Sequence, residues 1–303
     1  MRNAHRFVAS VFVPLLVLAL ASCGSTPVAT TLDAEGSDSP SSGDSSAKYV
    51  INCEEGLCHV PAGPFWMGCN EALDDQCNYD ETPYRLVTLE DFYIQRSEVT
   101  QSSYNECMLA SVCDKPSCEF TPDENPDHPV VCVTQQDAVR YCDWLGMRLP
   151  TEAEWEKAAR GVDGQLYPWG NEAASCLLAA IEGEDGKCGL DSSVPVCSRS
   201  PSGDSPYGLC DMAGNVWEWV SDCYEDDYYG VAPDTAPSGP KCEGLGSADD
   251  LSSLVVQRGG SFADESFNVR ASNRASAKND SAEGHRGFRC ATRTQEHLGY
   301  TIH

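Results

Sequence analysis

The chain has 303 residues, a formal net charge of −27 and 17 cysteines. An acidic excess of this size repels nucleic acid and anionic lipid headgroups, so neither is expected as a partner, whereas divalent cations are plausible ligands. So many cysteines point to an oxidising compartment, and the absence of any CxxC pair argues against zinc-ribbon spacing.

At the N-terminus, Arg2 and Arg6 precede an apolar run from Phe7 to Ala21. That run is short for a membrane span and suits the hydrophobic region of a signal peptide. It ends in Leu20, Ala21, Ser22 and Cys23, which resembles the lipobox of bacterial lipoproteins; an ordinary signal peptide with a chance cysteine is the alternative. The reading predicts a signal peptide over 1–22, a lipidated Cys23 with a flexible Ser-rich tether over 23–48, and one folded domain over 49–303. Acyl chains contribute ~0.8 kcal/mol per buried CH₂, enough for durable anchoring without a spanning helix. The protein is thus expected at the cell envelope, facing periplasm or exterior, and Gly24 in place of Asp directs it to the outer membrane. From Gly24 to Lys48 the composition offers almost nothing to bury and cannot offset the entropy of ordering.

Beyond Tyr49 the elements follow in order. Strands are predicted at Leu86–Leu89 and Phe92–Gln95. A short helix starts at Thr100, with Tyr104, Cys107 and Met108 inward. Thr134 is the N-cap of a second helix, whose stripe is Ala138, Tyr141, Cys142 and Leu145 and whose stop is Gly146. Thr151 and Glu154 form a capping box for a third, with Trp155, Ala158 and Ala159 buried, Lys157 and Arg160 at the dipole's negative end, and Gly161 after it. Further strands are predicted at Val216–Val220, Leu254–Gln257 and Phe288–Ala291. Glycine and proline are plentiful between them. The fold class is α+β, loop-rich, with little regular secondary structure.

Without Cys23 the cysteine count becomes even, so all sixteen others can pair. Close spacing predicts the local bonds Cys53–Cys58, Cys69–Cys77, Cys176–Cys188 and Cys197–Cys210, then Cys223–Cys242. Cys107, Cys113, Cys118 and Cys132 make two bonds in an order the sequence leaves open.

The strand after Asn215 carries the most chemical information. Trp217 and Trp219 point to one face and Val216, Glu218 and Val220 to the other, so Glu218 is the one polar group between apolar surfaces. A buried carboxylate needs a cation or several donors, or it stays protonated. With Asp211 and the bend at Gly214 and Asn215 nearby, oxygen ligands for Ca²⁺ are present. An ion pair from Glu218 to Arg258 or Arg289 is the equal alternative.

Six segments now fall into one ordered set: Val60 to Gly68 (VPAGPFWMG), Arg148 to Glu156 (RLPTEAEWE), Tyr167 to Asn171 (YPWGN), Tyr207 to Trp219 (YGLCDMAGNVWEW), Arg258 to Phe262 (RGGSF) and Gly287 to Cys290 (GFRC). Together they resemble the formylglycine-generating enzyme, or sulfatase-modifying factor, family over roughly Val60 to Arg293. The resemblance implies a C-type-lectin-like fold stabilised by calcium. It places calcium ligands at Asp211, the carbonyls of Gly214 and Val216, and Glu218, and a disulfide between Cys142 and Cys290. The family's second calcium loop is rewritten here around Cys176 and Cys188, and its companion disulfide would need a cysteine at Ala159.

The resemblance also implies a copper site made by two cysteines, and here the chain departs from the family. Ser261 is kept, but the cysteine positions hold Asp264 and Val269. Without paired thiolates a soft Cu(I) site cannot form, so copper and sulfatase activation by the family's known route are not expected. Asp264 and Glu265 could hold a harder metal, with solvated loop carboxylates as the simpler reading; Ser261 and Asp264 remain the catalytic candidates. The mature histidines, His59, His128, His285, His297 and His303, form no HxH or HxxxH pair, which argues against a histidine iron site. Two functions fit: a non-catalytic surface module binding a protein, peptide or glycan, or a copper-free oxidoreductase or protein-modifying enzyme outside the cytoplasm, by analogy with relatives that mature siderophore chromophores.

Overall fold

In the computed structural model, which describes residues 51–118, 120–182, 188–240 and 254–294, three capped helices organise a loop-rich α+β unit. The signal peptide, Cys23, the tether, the Cys223–Cys242 pairing, His297 and His303 lie outside the described residues. No helix among the described residues is long and apolar enough to cross a membrane. Thr100 accepts the Ser103 amide and opens Gln101–Leu109 (α1). Thr134 opens Gln135–Trp144 (α2) and Thr151 opens Glu152–Arg160 (α3), each in a reciprocal box with Asp137 or Glu154. Each such cap contributes about 1 kcal/mol. Gly161, at φ +71°, ends α3 in a backbone conformation that a side chain would strain.

The third helix differs from its sequence reading. One buried face of Trp155, Ala158 and Ala159 was expected, with Lys157 and Arg160 serving the helix dipole, but every residue of α3 is buried. Lys157 donates to the carbonyls of Pro61 and Gly63, and Arg160 to those of Gly68, Gly164 and Gln165. The cause is the irregular chain around α3. Loop carbonyls without a ladder partner still need donors, and buried cations supply them.

The strands are Cys53–Glu54 (β1), Leu57–Val60 (β2), Gly63–Met67 (β3), Arg85–Leu89 (β4), Phe92–Gln95 (β5), Trp217–Cys223 (β6), Leu254–Arg258 (β7), Ala275–Lys278 (β8), Arg286–Phe288 (β9) and Ala291–Thr292 (β10). A single turn of helix, Tyr228–Val231 (α4), follows β6. The predicted strand Phe288–Ala291 is in fact two. It breaks at Arg289 and Cys290, so that β9 pairs with β6 and β10 with β5. The sheets run β1-β2-β5-β10 and β8-β7-β6-β9, with β3-β4 a separate hairpin. In the second sheet β6 lies centrally, antiparallel to β7 and parallel to β9. Its residues are buried on both faces, apart from Ser221.

Two apolar clusters fill the interior. One gathers Phe65, Met67, Val87 and Phe92 around Trp155; the other gathers Tyr104, Tyr141, Leu149 and Trp219 around Phe288 and the Cys142–Cys290 disulfide. Cys107–Cys113 and Cys118–Cys132 are the two bonds left open by the sequence. Cys53–Cys58, Cys69–Cys77, Cys176–Cys188 and Cys197–Cys210 are also formed, and Cys223 is disulfide-bonded.

Buried arginines complete the frame. Arg258 donates to Glu156 Oε2 at 2.6 Å and to the carbonyls of Ala271, Ser272 and Asn273. Arg274 holds both oxygens of Glu152 and the carbonyls of Asp80 and Glu225. Arg270 bridges Asp74 and Glu81. Each guanidinium thus neutralises a carboxylate and ties down a loop at once.

Candidate functional site

Glu218, in the middle of β6, is fully buried, and its side chain meets Arg289 just past β9. Arg289 donates through Nη2 to Oε1 and through Nε to Oε2, both at 2.7 Å, and Trp155 Nε1 donates to Oε2 at 2.9 Å. Of the two arginines open from the sequence, Arg289 is therefore the partner. Arg258 lies opposite Glu218 in the β6–β7 register, but its side chain turns away to Glu156. Arg289 also donates to the carbonyls of Gln95, Arg96 and Cys210, which draws the Asp211 turn against the end of β5.

Asp211, Gly214 and Asn215 in that turn all have left-handed backbones, with φ +56°, +82° and +60°. A Cβ at Gly214 would come within 2.3 Å of the Ala180 carbonyl, so the close approach requires glycine. Asp211 accepts the Cys197 amide at 2.5 Å and lies near enough to repel a residue the sequence reading missed, Glu98. Glu98 is 2 % exposed, and no donor reaches either of its carboxyl oxygens. Burial, followed by repulsion from Asp211, holds its carboxyl well above the usual range; burial raises Asp211 as well.

Glu98, Asp211 and Glu218 are three carboxyls facing one guanidinium, so full ionisation leaves two negative charges inside the protein. Either protons or a divalent cation must balance them. The donor set, carboxylate oxygens with the carbonyls of Gly214 and Val216 on the same turn, has the hard oxygen chemistry that Ca²⁺ takes. Glu98 also lines an open cleft of about 340 Å³ with Arg96, Thr100, Ser103 and Asp127. The sequence did carry a sign of Glu98: it is an acid preceding Val99 and the N-cap Thr100, where the chain passes from a core strand into a buried helix start.

The Ser261 region is closed. Asp264 Oδ2 accepts the Ser261 amide at 3.0 Å, the Ser261 hydroxyl at 2.5 Å and Trp217 Nε1 at 2.9 Å, and Oδ1 accepts Asn268 Nδ2 at 3.2 Å. Asp264 is therefore a half-buried loop clasp rather than the solvated carboxylate the sequence reading favoured; Glu265 is exposed. Ser261 is 1 % exposed and Val269 is fully buried. Val269 packs with Tyr167, Ala179 and Ile181, and the Glu182 amide donates to the Asp264 carbonyl. Ala179, Ile181 and Glu182 belong to the segment bridged by Cys176–Cys188, so the rewritten loop lies over the position where a second copper cysteine would stand.

A family model for the sulfatase-modifying factor enzyme 1-like domain matches residues 45–294. The chain belongs to that family. Formylglycine-generating enzymes similar to it include those of Mycobacterium tuberculosis, 38 % identical over 298 residues (77 % of this chain, 96 % of that protein), and Mus musculus, 32 % over 292 residues (77 % and 73 %). The enzyme of Thermomonospora curvata is 40 % identical over 183 residues, 55 % of this chain; the chain spans about half the length of that relative, 56 %. A Bos taurus protein named inactive C-alpha-formylglycine-generating enzyme 2 is 39 % identical over 183 residues, 56 % of this chain and 52 % of that one. Among solved structures, PvdO from Pseudomonas aeruginosa superposes with a TM-score of 0.63 at 27 % identity, covering 81 % of this chain and 98 % of PvdO. Treponema denticola variable protein 1 shares the fold, with a TM-score of 0.60 at 23 % identity over 78 % of this chain and 95 % of its own.

Among the described residues of this sulfatase-modifying factor domain, two groups of acids and cysteines come within metal-ligating distance, Cys69, Asp74 and Cys77, and Cys197, Cys210 and Asp211; Glu98, Asp211 and Glu218 are not drawn together that tightly. The cysteines of both groups are disulfide-bonded and offer no thiolate. His59 sits by Asp91 and the Tyr93 ring, whereas His128 sits by Ser193, so these two share no site.

Proposed function

We propose that this chain is a non-catalytic binding module, held at the cell envelope by a lipid on Cys23 and stabilised by calcium at Glu98, Asp211, Glu218 and the carbonyls of Gly214 and Val216. The observation that carries the first part is the state of Asp264 and Val269. One has its oxygens taken by four donors and the other is sealed in an apolar cluster, so the pair offers no ligands to copper. Ser261, hydrogen-bonded to Asp264 and buried, has no open face toward a substrate. The relative named as inactive supports the reading that this domain can persist without the oxidase chemistry. Bound calcium would supply two positive charges against the uncompensated carboxylates and tie the Asp211 turn to β6 and to Glu98.

The deciding experiment incubates the purified protein with Cu(I) and a sulfatase-derived cysteine peptide. No stoichiometric copper and no aldehyde by hydrazide capture are expected. Aldehyde that disappears in Ser261→Ala restores an enzyme. Turnover of another substrate that depends on Ser261 or Asp264 establishes the copper-free oxidoreductase instead. The anchor is tested separately: Cys23→Ser should release the protein from membranes or block its processing, and normal cleavage with unchanged membrane partitioning refutes it.

A further inference from the structure

The β3–β4 hairpin alternates cleanly. Phe65, Met67, Val87 and Leu89 face the core, whereas Pro64, Trp66, Leu86 and Thr88 are exposed on the outer face, with Trp66 directly opposite Leu86. Trp66 is the unusual member. It is 39 % exposed, and its indole ring stacks on Tyr84 with centroids 4.8 Å apart and planes within 17°. Its Nε1–H has no acceptor among the described residues, whereas the indoles of Trp155, Trp169, Trp217 and Trp219 each donate to a protein oxygen. An exposed indole with a free donor presents an apolar plate and a polar handle together.

The plate is held rigidly. A Cβ at Gly164 would fall 2.3 Å from the Tyr84 hydroxyl and 3.1 Å from the Trp66 Cβ, so the chain at Gly164 backs both residues. Tyr84 continues into a cleft of about 480 Å³ lined also by Asn70, Glu71, Thr82 and Pro83, and stapled at its base by Cys69–Cys77. That volume lies within the ~300–1,000 Å³ of small-molecule sites. Asn70 and Tyr84 line this cleft together, and the exposed Glu71 carboxylate makes no hydrogen bond among the described residues.

We propose that this face is a saccharide-binding subsite for a neutral glycan, one pyranose stacking on Trp66 and the next sugar entering the Tyr84 cleft. The C–H face of a sugar matches the indole plate, and its hydroxyls match the free Nε1–H, Glu71, Asn70 and Thr82. A polyanionic glycan is disfavoured by Glu71 and by the net charge of −27. A second copy of the chain is disfavoured by size: two five-residue strands present roughly 17 by 10 Å, against the ~800 Å² per partner of a stable interface. The proposal deepens the binding-module reading and fails separately from it, since aldehyde formation would overturn that reading without touching sugar binding.

The test uses the full chain on an array of neutral oligosaccharides, with chitotetraose, cellotetraose and maltotetraose then titrated by tryptophan fluorescence and heparin tetrasaccharide as the anionic control. At least one neutral glycan should bind. Trp66→Ala should weaken it about tenfold or more, a factor corresponding to roughly 1.4 kcal/mol, while Trp66→Phe retains most of the affinity. Both variants should melt within ~2 °C of wild type, as expected of a surface change. Absence of binding across the neutral array overturns the proposal. So does binding that Trp66→Ala leaves intact, or a preference for heparin.

Discussion

Because Arg289 holds both oxygens of Glu218, replacing that glutamate by alanine would strand a buried guanidinium as well as remove a proposed calcium ligand. Breaking a buried pair in this way costs about 3–5 kcal/mol whether or not an ion is present. Glu98→Gln is the cleaner probe, since Glu98 has no donor to lose. An ion present at a hundred times its Kd stabilises the folded state by about 2.7 kcal/mol, or roughly 5–10 °C for a domain of this size. Chelator is therefore expected to lower the wild-type Tm by that order in differential scanning fluorimetry. Glu98→Gln should raise the Tm in chelator and narrow the gap between calcium and chelator. A wild-type Tm that ignores chelator would assign the charge balance to protons shared by Glu98 and Asp211.

At the scale of elements, the start of α3 is joined to β6 through Asp222. Its Oδ2 accepts the Glu152 amide and the Ser221 hydroxyl, both at 2.9 Å, and burial, then repulsion from Glu152, pushes its carboxyl up to about 7. Glu154 adds to the same repulsion. The folded form thus holds this proton more tightly than the unfolded chain, the reverse of a salt-bridged aspartate. Its contribution is full below the ordinary aspartate pKa, declines as pH rises, and is lost once pH passes about 7. Asp222→Asn imitates the protonated form. It should leave Tm nearly unchanged at pH 4 and raise it at pH 8, as thermal melts across pH will show; an equal shift at both pH values would refute the titration. The Cys142–Cys290 bond ties α2 to the segment between β9 and β10 across 148 residues. Chain entropy assigns such a loop about 5 kcal/mol. Cys142→Ser with Cys290→Ser should lower the urea midpoint far more than loss of any bond closing a short loop.

Over the whole molecule, irregular backbone is held by guanidinium groups where sheets would otherwise supply partners. Arg258→Lys tests that arrangement. An ammonium keeps the charge facing Glu156 but cannot also reach three carbonyls in the planar pattern of the guanidinium. A Tm loss on the order of 10 °C is expected if about 3–5 kcal/mol is removed; a loss no larger than at surface arginines would refute it. The same design explains what was legible beforehand. The three helices were readable because Thr100, Thr134 and Thr151 announce them locally, and the burial of Glu218 was readable because both faces of its strand are apolar. Which arginine meets Glu218 was not readable: Arg258 and Arg289 both border β6, and only the tertiary path of their side chains separates them. The interior of α3 was misjudged because hydrophobic periodicity registers apolar residues, and a lysine whose partners are loop carbonyls leaves no mark on it. Glu98 went unread for a related reason, since its neighbours Asp211 and Glu218 come from more than a hundred residues away.

The pairing pattern of the cysteines has a consequence for how the protein is made. Among the described pairs, each cysteine bonds the next one along the chain, with loops of 5 to 14 residues, except Cys142. A chain oxidised as it emerges, N-terminus first, would find the correct partner for every cysteine up to Cys132. Cys142 would then meet Cys176 long before Cys290, and taking it would shift every later pair by one place. Correct maturation therefore requires Cys142 to wait as a thiol, or a disulfide isomerase to undo the early bond. Expression in cells that oxidise thiols but lack an isomerase should accumulate a species carrying Cys142–Cys176, visible by non-reducing peptide mapping. Its absence would mean that α2 buries Cys142 before Cys176 can reach it.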